Sequence, residues 1–441
     1  MPPATEKSQP AADMRGSTQP DAPRQARGTA LKRGPLGNRN YRLLLAGSAI
    51  GQILMPLQFL TQILWVQENA PKDVWLILVA LIGASRGVGA LTFGLYGGAL
   101  ADRFDRRKLL LVMQLLLVLT TVAIAALMFA DITNAAGFAM FFALTLLGAG
   151  LQSIDVPTRL AILPDILGPE QTAAGMSLNQ VAGQLSMPMA MFGAGLIIHW
   201  LGFAGAYLLS TSGHLVMIFF LLLMRYRLAA DRVPQRGRYG FGDAIADVRD
   251  GLTYARGHPV VLWIIVLLVT MMGLAFPATA NLGPTWITTV VGVEIRDMGF
   301  VVMTWGLGSL LAAIGLTYFS AIERRGRLIA GGALLYALSF VVFVMDHSVV
   351  NAVIGNLGIG AGMTITQVSS TILIQQLVPN EVRGRIMSIF QLNMGVAQLM
   401  TMPIAVLGQW LTLPVLFPLL AIATLGAVVL ILLTRRQIVR A

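Results

Sequence analysis

Gly98-Ala-Leu-Ala-Asp102-Arg103-Phe-Asp105-Arg106-Arg107-Lys108 runs directly into LLLVMQLLLVLTTVAIAALMFA, residues 109–130. The second part is 22 residues without a charge. At 1.5 Å per residue it is long enough to cross the roughly 30 Å hydrocarbon core of a bilayer as an α-helix. The first part gathers four cations and two carboxylates at one end of that run. A turn at a membrane edge has this composition, because lipid rejects charges that water and headgroups accept. A strand is no substitute for the helix: an open sheet would leave backbone groups unsatisfied in lipid.

The same alternation of apolar run and polar turn extends in both directions. Apolar stretches cover 43–66, 74–100, 109–130, 137–160, 172–199 and 204–224, then 259–288, 298–320, 328–345, 349–376, 386–409 and 414–434. The fold class expected is an all-α polytopic membrane protein of twelve transmembrane helices in two six-helix bundles. Of the 441 residues, 56% are hydrophobic and 12% charged, against about 25% charged in soluble domains. That composition excludes a soluble enzyme. The chain divides into a disordered polar tail (1–40), an N-terminal bundle (41–225), a central linker (226–257), a C-terminal bundle (258–436) and a short terminus (437–441). No apolar segment in the tail has the form of a signal peptide. With no cysteine in the sequence, disulfides and thiolate metal sites are excluded.

The net charge of +11 suits nucleic acid only until the charges are placed. Even-numbered spans return the chain to its starting side, and 28 of the 31 Lys and Arg residues fall in the tail, the even loops and the C-terminus. Lys72 and Arg296 lie on the other side and Arg86 inside a span. This asymmetry puts both termini in the cytoplasm and faces the positive charge toward an anionic leaflet. Within the linker, Ile245, Val248, Leu252 and Ala255 recur at helical spacing among charged residues, the pattern of an amphipathic surface helix.

The two halves repeat one another. Gly87-Val-Gly89-Ala-Leu91 returns as Gly306-Leu-Gly308-Ser-Leu310; Glu170, Met176, Ser177 and Gln180 return as Glu381, Met387, Ser388 and Gln391; Met187-Pro188 with Gly193 returns as Met402-Pro403 with Gly408. Three matches in the same order indicate a duplicated bundle, the plan of many secondary transporters.

The segment 98–108 resembles the signature loop G-x-L-A-D-R-x-G-R-R/K of the major facilitator superfamily, departing from it at Asp105, where glycine is usual. Asp155-Val-Pro157-Thr-Arg159 with Leu163-Pro164, Gly251-Leu-Thr-Tyr254 with His258-Pro259, and Val378-Pro379-Asn-Glu381-Val-Arg383-Gly384-Arg385 are similar to the branch holding enterobactin exporters and macrolide efflux proteins. Pro188 and Gly193 are similar to the antiporter signature of span 5, with Met187 in place of its glycine. The resemblance implies alternating access and export of a small amphiphilic molecule, a drug, macrolide or siderophore-like compound, with proton coupling. For Gly98, Asp102, Arg103, Arg106, Arg107 and Lys108 it implies a conformational role, Asp102 facing the start of span 11. Further candidate site residues are Arg159 and Glu170 in the loop between spans 4 and 5, and Glu381, Arg383 and Arg385 in the loop between spans 10 and 11.

Arg86 lies about 12 residues, roughly 18 Å, from the nearer end of its span. Such depth asks for a cavity or a partner: either a polar or anionic group of the substrate, or an ion pair such as Asp155. Asp155 can pair locally with Arg159, four residues on, or carry a proton. His214 sits beside Ser210, Thr211 and Ser212 and is either an interhelical hydrogen-bond partner or a proton carrier. Amides inside spans, Gln52, Gln62, Gln180 and Gln391 among them, either line a pathway or bind helices together.

Absent motifs narrow the function further. Lys7, Lys32, Lys72 and Lys108 are the only lysines and none follows glycine, which argues against a phosphate-binding loop and direct use of ATP. His199, His214, His258 and His347 fall in separate segments, leaving no metal-ligand set. No cofactor is expected. The expected partners are a small-molecule substrate, the bilayer and protons. The location expected is the plasma membrane, the inner membrane of a bacterium. Rival readings are an importer of metabolites, a lipid-acting membrane enzyme or scramblase, and a receptor derived from the same fold.

Overall fold

The computed structural model describes residues 34–225, 241–318 and 325–440, and among them no strand occurs. The tail through residue 33, the linker segment 226–240 and the turn 319–324 lie outside the described residues.

The first bundle consists of α1 (Arg39–Asn69), α2 (Trp75–Arg103), α3 (Arg106–Phe129), α4 (Ala135–Leu167) and α5 (Pro169–Leu223). Short polar side chains start these helices. Asn38 accepts from the amides of Asn40 and Tyr41, and Asn134 from that of Gly137, filling donors that a helix N-terminus leaves open. Asp105 does the same for α3 by accepting from the Lys108 amide at 3.0 Å. The departure from the signature loop is therefore a helix cap. Run α5 spans 55 residues, too long for one crossing. Gly202, at φ 67° and ψ 176°, breaks it into limbs 169–201 and 203–223, which are spans 5 and 6. That conformation is strained for a residue with a Cβ.

A linker helix, α6 (Phe241–Gly257), leads into the second bundle: α7 (Pro259–Leu274), α8 (Gly283–Thr289), α9 (Ile295–Tyr318), α10 (Arg325–Met345), α11 (Val349–Leu377), α12 (Asn380–Leu411) and α13 (Leu413–Thr434), with a last turn, α14 (Gln437–Arg440). Helix α6 buries Gly251 and Ala255 and packs on α12. Span 7, expected as continuous over 259–288, is instead broken. A π-type turn, Pro277–Asn281, separates α7 from α8, because Pro277 and Pro284 each lack an amide proton for the ladder.

Ten helices among the described residues are long and apolar enough to cross a membrane, against the twelve spans expected. Both differences are local. The two limbs of α5 run together, and of α12 the described stretch Gly395–Leu411 is apolar but shorter than a full crossing. The arrangement is the twelve-helix fold in two halves.

Repeated glycines bring equivalent helices together in each half. A Cβ on Gly89 would strike the Leu146 carbonyl of α4, and one on Gly308 the Leu357 carbonyl of α11. Gly150 faces the Phe93 ring and Gly360 the Trp305 carbonyl in the same way. Close backbone approach of this kind is how helices gain dispersion contact where lipid is as apolar as the side chains. Aromatic clusters fill the end of each bundle opposite the termini: Trp65 with Phe138 and Phe141, and Trp286 stacked on Phe417 at 4.9 Å. Leu115, Leu119, Ile422 and Leu430 point outward and are exposed, as lipid-facing residues must be.

Candidate functional site

The first half contains two largely buried chains of polar side chains, one turn apart. Arg86 on α2 donates to Gln62 Oε1 at 3.3 Å and lies 4.9 Å from the centre of the Phe59 ring. Gln62 on α1 uses its amide nitrogen for Thr145 on α4 at 3.2 Å and for the Tyr207 hydroxyl on α5 at 2.9 Å. One turn away, Gln58 meets His214 Nε2 at 3.4 Å. His214 Nδ1 meets Gln114 Oε1 at 2.9 Å, and Gln114 donates to Asp155 Oδ1 at 2.9 Å. The other carboxylate oxygen of Asp155 forms an ion pair with Arg159 Nε at 2.8 Å.

Gln114 presents its oxygen to Nδ1 and its nitrogen to Asp155, an arrangement that suits a proton on Nδ1. Nε2 stands against the Gln58 amide. Ser210, expected beside His214, turns instead to the Tyr207 carbonyl of its own helix. Asp155 is 2% exposed and already engaged twice, so it is not the partner of Arg86.

A cavity of about 30 Å³ opens among Gln58, Gln62, Arg86, Thr145, Gln152 and Tyr207, room for one or two waters. All of its walls belong to the first half. Arg86 therefore points into its own bundle, while the glycines beside it, Gly83 and Gly87, turn to the second half and touch Gln398 and Gly395 of α12.

In the signature loop the described cations also bind within the first half. Arg106 bridges the Asp165 carboxylate at 2.9 Å and the Ala161 carbonyl at the end of α4. Arg107 donates to the carbonyls of Leu221 and Leu222 at 2.8 and 3.0 Å, where the last carbonyls of α5 lack helical partners. Lys108 contributes its backbone amide to the Asp105 cap. The surroundings of Gly98 and the side chains of Asp102 and Arg103 fall outside what is described, as do the side chains of Gln180, Glu381, Arg383, Arg385 and Gln391. Glu170 is exposed at the start of α5. Gln52 packs against Gly183 of α5, where a Cβ would collide with its amide.

Between the halves run two seams, α2 with α12 and the first limb of α5 with α9. At mid-depth, Asn281 in the π turn donates to Gln398 Oε1 at 2.9 Å and to Thr401 at 2.6 Å, beneath Gly83. At the end away from the termini, Gln67 donates to Thr288 at 3.0 Å and Gln409 to the Asp73 carbonyl at 2.7 Å. There Gly195 and Gly299 bring α5 and α9 into backbone contact, and Phe192 meets the Phe300 ring edge to face at 5.0 Å.

The sequence reading missed Gln114, Gln152 and Tyr207. Gln114 had a signal: it is the only amide in the run 109–130, and an amide that lipid would reject implies a buried partner.

Comparison with known proteins follows the same line. A model described as Major Facilitator Superfamily matches residues 43–402. The "Multidrug efflux pump Tap" of Mycolicibacterium fortuitum is 24% identical over 372 residues, covering 82% of this chain and 86% of the pump. Among solved structures, the nucleoside transporter NupG superposes with a TM-score of 0.70 at 11% identity, over 91% of this chain and 100% of NupG. A D-xylose-proton symporter does so with 0.66 at 15% identity, over 88% and 96%.

Proposed function

The chain belongs to the major facilitator superfamily and is a multi-pass membrane transporter; from that premise we propose that it is an efflux carrier for a small amphiphilic molecule, working by alternating access. One observation carries the mechanism: the halves touch along two seams whose contacts at the far end are glycine backbones, one aromatic pair and single hydrogen bonds. Such contacts can part and reform without unpacking either bundle, and a transporter needs two states close in free energy. Export is supported by the likeness to the efflux pump over most of both chains.

Proton flow into the cell is the proposed driving force, making the carrier an antiporter of the plasma membrane with cytoplasmic termini. Asp155 and His214, linked through Gln114, are the groups offered for the proton. The charge facing them is Arg159, paired with the carboxylate. A second proton on His214 requires the Gln58 amide to turn over and present its oxygen. Asp102 is proposed to hold the cytoplasmic end of the seam between α2 and α12 when that face is closed.

The test is transport in reconstituted vesicles with an imposed proton gradient. Amphiphile moving opposite to the protons, and halted by a protonophore, is the expected result. Movement in the same direction as the protons would identify an importer, and absence of counterflow for any solute would remove the carrier reading. Asp102→Asn is expected to reduce the rate while protein at the membrane is unchanged.

A further inference from the structure

We propose that the cavity at Arg86 is a binding site for a small inorganic anion of about the size of chloride. The argument begins from charge. Arg86 lies eleven residues beyond the start of α2, roughly 16 Å along the helix, and its contacts are an amide oxygen and a phenyl ring. Both are neutral. The buried carboxylate of this half, Asp155, is taken by Arg159 and Gln114. On the same helix Asp102 stands sixteen residues away, about 24 Å. A half-buried guanidinium whose partners are all neutral keeps an uncompensated charge, and such a charge attracts a counter-ion.

Unused donors supply the second argument. Tyr207 is 3% exposed and accepts from Gln62, and no acceptor among the described residues meets its own O–H. The Gln152 amide lines the cavity with no acceptor among the described residues either, and Arg86 has N–H groups beyond the one given to Gln62. Three residues with donors to spare, from α2, α4 and α5, therefore line one space. Leu117, Ile124 and Leu144 line part of the wall and the Thr120 and Thr121 hydroxyls another, and the partial burial of the guanidinium strengthens its attraction for a bound anion relative to open water. The volume of about 30 Å³ has room for a monatomic ion.

The site is independent of what the carrier exports, so its test involves no transport. Purified protein is unfolded thermally in sodium chloride and in sodium gluconate of equal ionic strength. A saturable rise in Tm with chloride is expected, because a ligand that binds only the folded state stabilises it by mass action. In Tyr207→Phe, which keeps the charge and removes one donor, the half-saturating chloride concentration is expected to rise roughly tenfold, the equivalent of one hydrogen bond to a charged group. In Arg86→Gln the chloride dependence should vanish. Should that variant fail to fold, Gln152→Ala and a bromide-soaked crystal replace it, with bromide density expected beside the guanidinium. Equal Tm in both salts for the unaltered protein would overturn the proposal. So would a chloride effect undiminished in Arg86→Gln, or stabilisation by carboxylate-bearing solutes but not by chloride, which would assign the guanidinium to a substrate group instead.

Discussion

At Asp105 a single carboxylate stands where the signature loop has glycine, and the structure gives it a duty of its own as the cap of α3. Removing such a cap costs about 0.5–2 kcal/mol, whereas glycine in its place costs only a few tenths. Asp105→Ala is therefore expected to lower the thermal stability of the purified protein measurably, and Asp105→Gly to leave it nearly unchanged. Equal losses in the two variants would show that the carboxylate acts otherwise. Asp155 makes a sharper case. It is 2% exposed and its partner Arg159 side chain 22%, so Asp155→Ala strands a cation at the edge of the bundle. Breaking a fully buried pair costs about 3–5 kcal/mol; the partial exposure of Arg159 places the expected loss nearer the lower end. The double variant Asp155→Ala with Arg159→Ala should recover part of it in a melting experiment, and a double variant no more stable than the single one would sink the pairing argument. The Asp155–Arg159 pair was legible in the sequence because four residues bring the two onto one helix face. The continuation to His214 was not, because it passes through Gln114, a hundred residues away along the chain, and separation in sequence carries no mark of contact in space.

Helix by helix, small residues decide which elements meet, and neighbouring glycines can have opposite roles. Gly331 and Gly332 are adjacent on α10. A Cβ on Gly331 meets nothing within 4 Å, while one on Gly332 would stand 2.6 Å from the Thr366 hydroxyl and 2.9 Å from its amide nitrogen on α11. Gly331→Ala is expected to be neutral or to stabilise by up to about 1 kcal/mol through helix propensity. Gly332→Ala forces α10 from α11 and is expected to destabilise by about 1–3 kcal/mol, the usual range for overpacking. Thermal melts in one detergent would compare them directly, and equal effects would mean that the α10–α11 interface is not set by backbone approach. The duplicated glycine strings foreshadowed this: Gly89 and Gly308, matched in sequence, do the same work in their two halves. Breaks in the elements were harder to foresee. Pro277 and Pro284 marked trouble in span 7, yet apolarity continues across them, and a hydropathy pattern has no register for a π turn. Gly202 was equally inconspicuous, since glycine is common within these spans and only its positive φ makes it a corner.

For the molecule as a whole, the seams between halves are where transport must act. At the end away from the termini, Gln67 on α1 and Thr288 on α8 join the halves by a hydrogen bond of 3.0 Å. The proposed alternating access demands that this contact separate once in every cycle. The sequence has no cysteine, so thiols can be placed without first removing any. In Gln67→Cys with Thr288→Cys, oxidation is expected to tie the halves at that end and stop transport, and a reducing agent to restore it. Each single variant should transport under both conditions, which separates a lock from local damage. Gly299→Val supplies the converse. Its side chain would enter the backbone of α5 at Met191 and Phe192 and is expected to prise the same end open, so that a thiol at position 288 alone reacts faster with an impermeant maleimide. Transport that persists through the oxidised pair would mean the halves do not part along this seam, and the substrate route would then have to be sought through one bundle, beside the Arg86 cavity, instead of between the two.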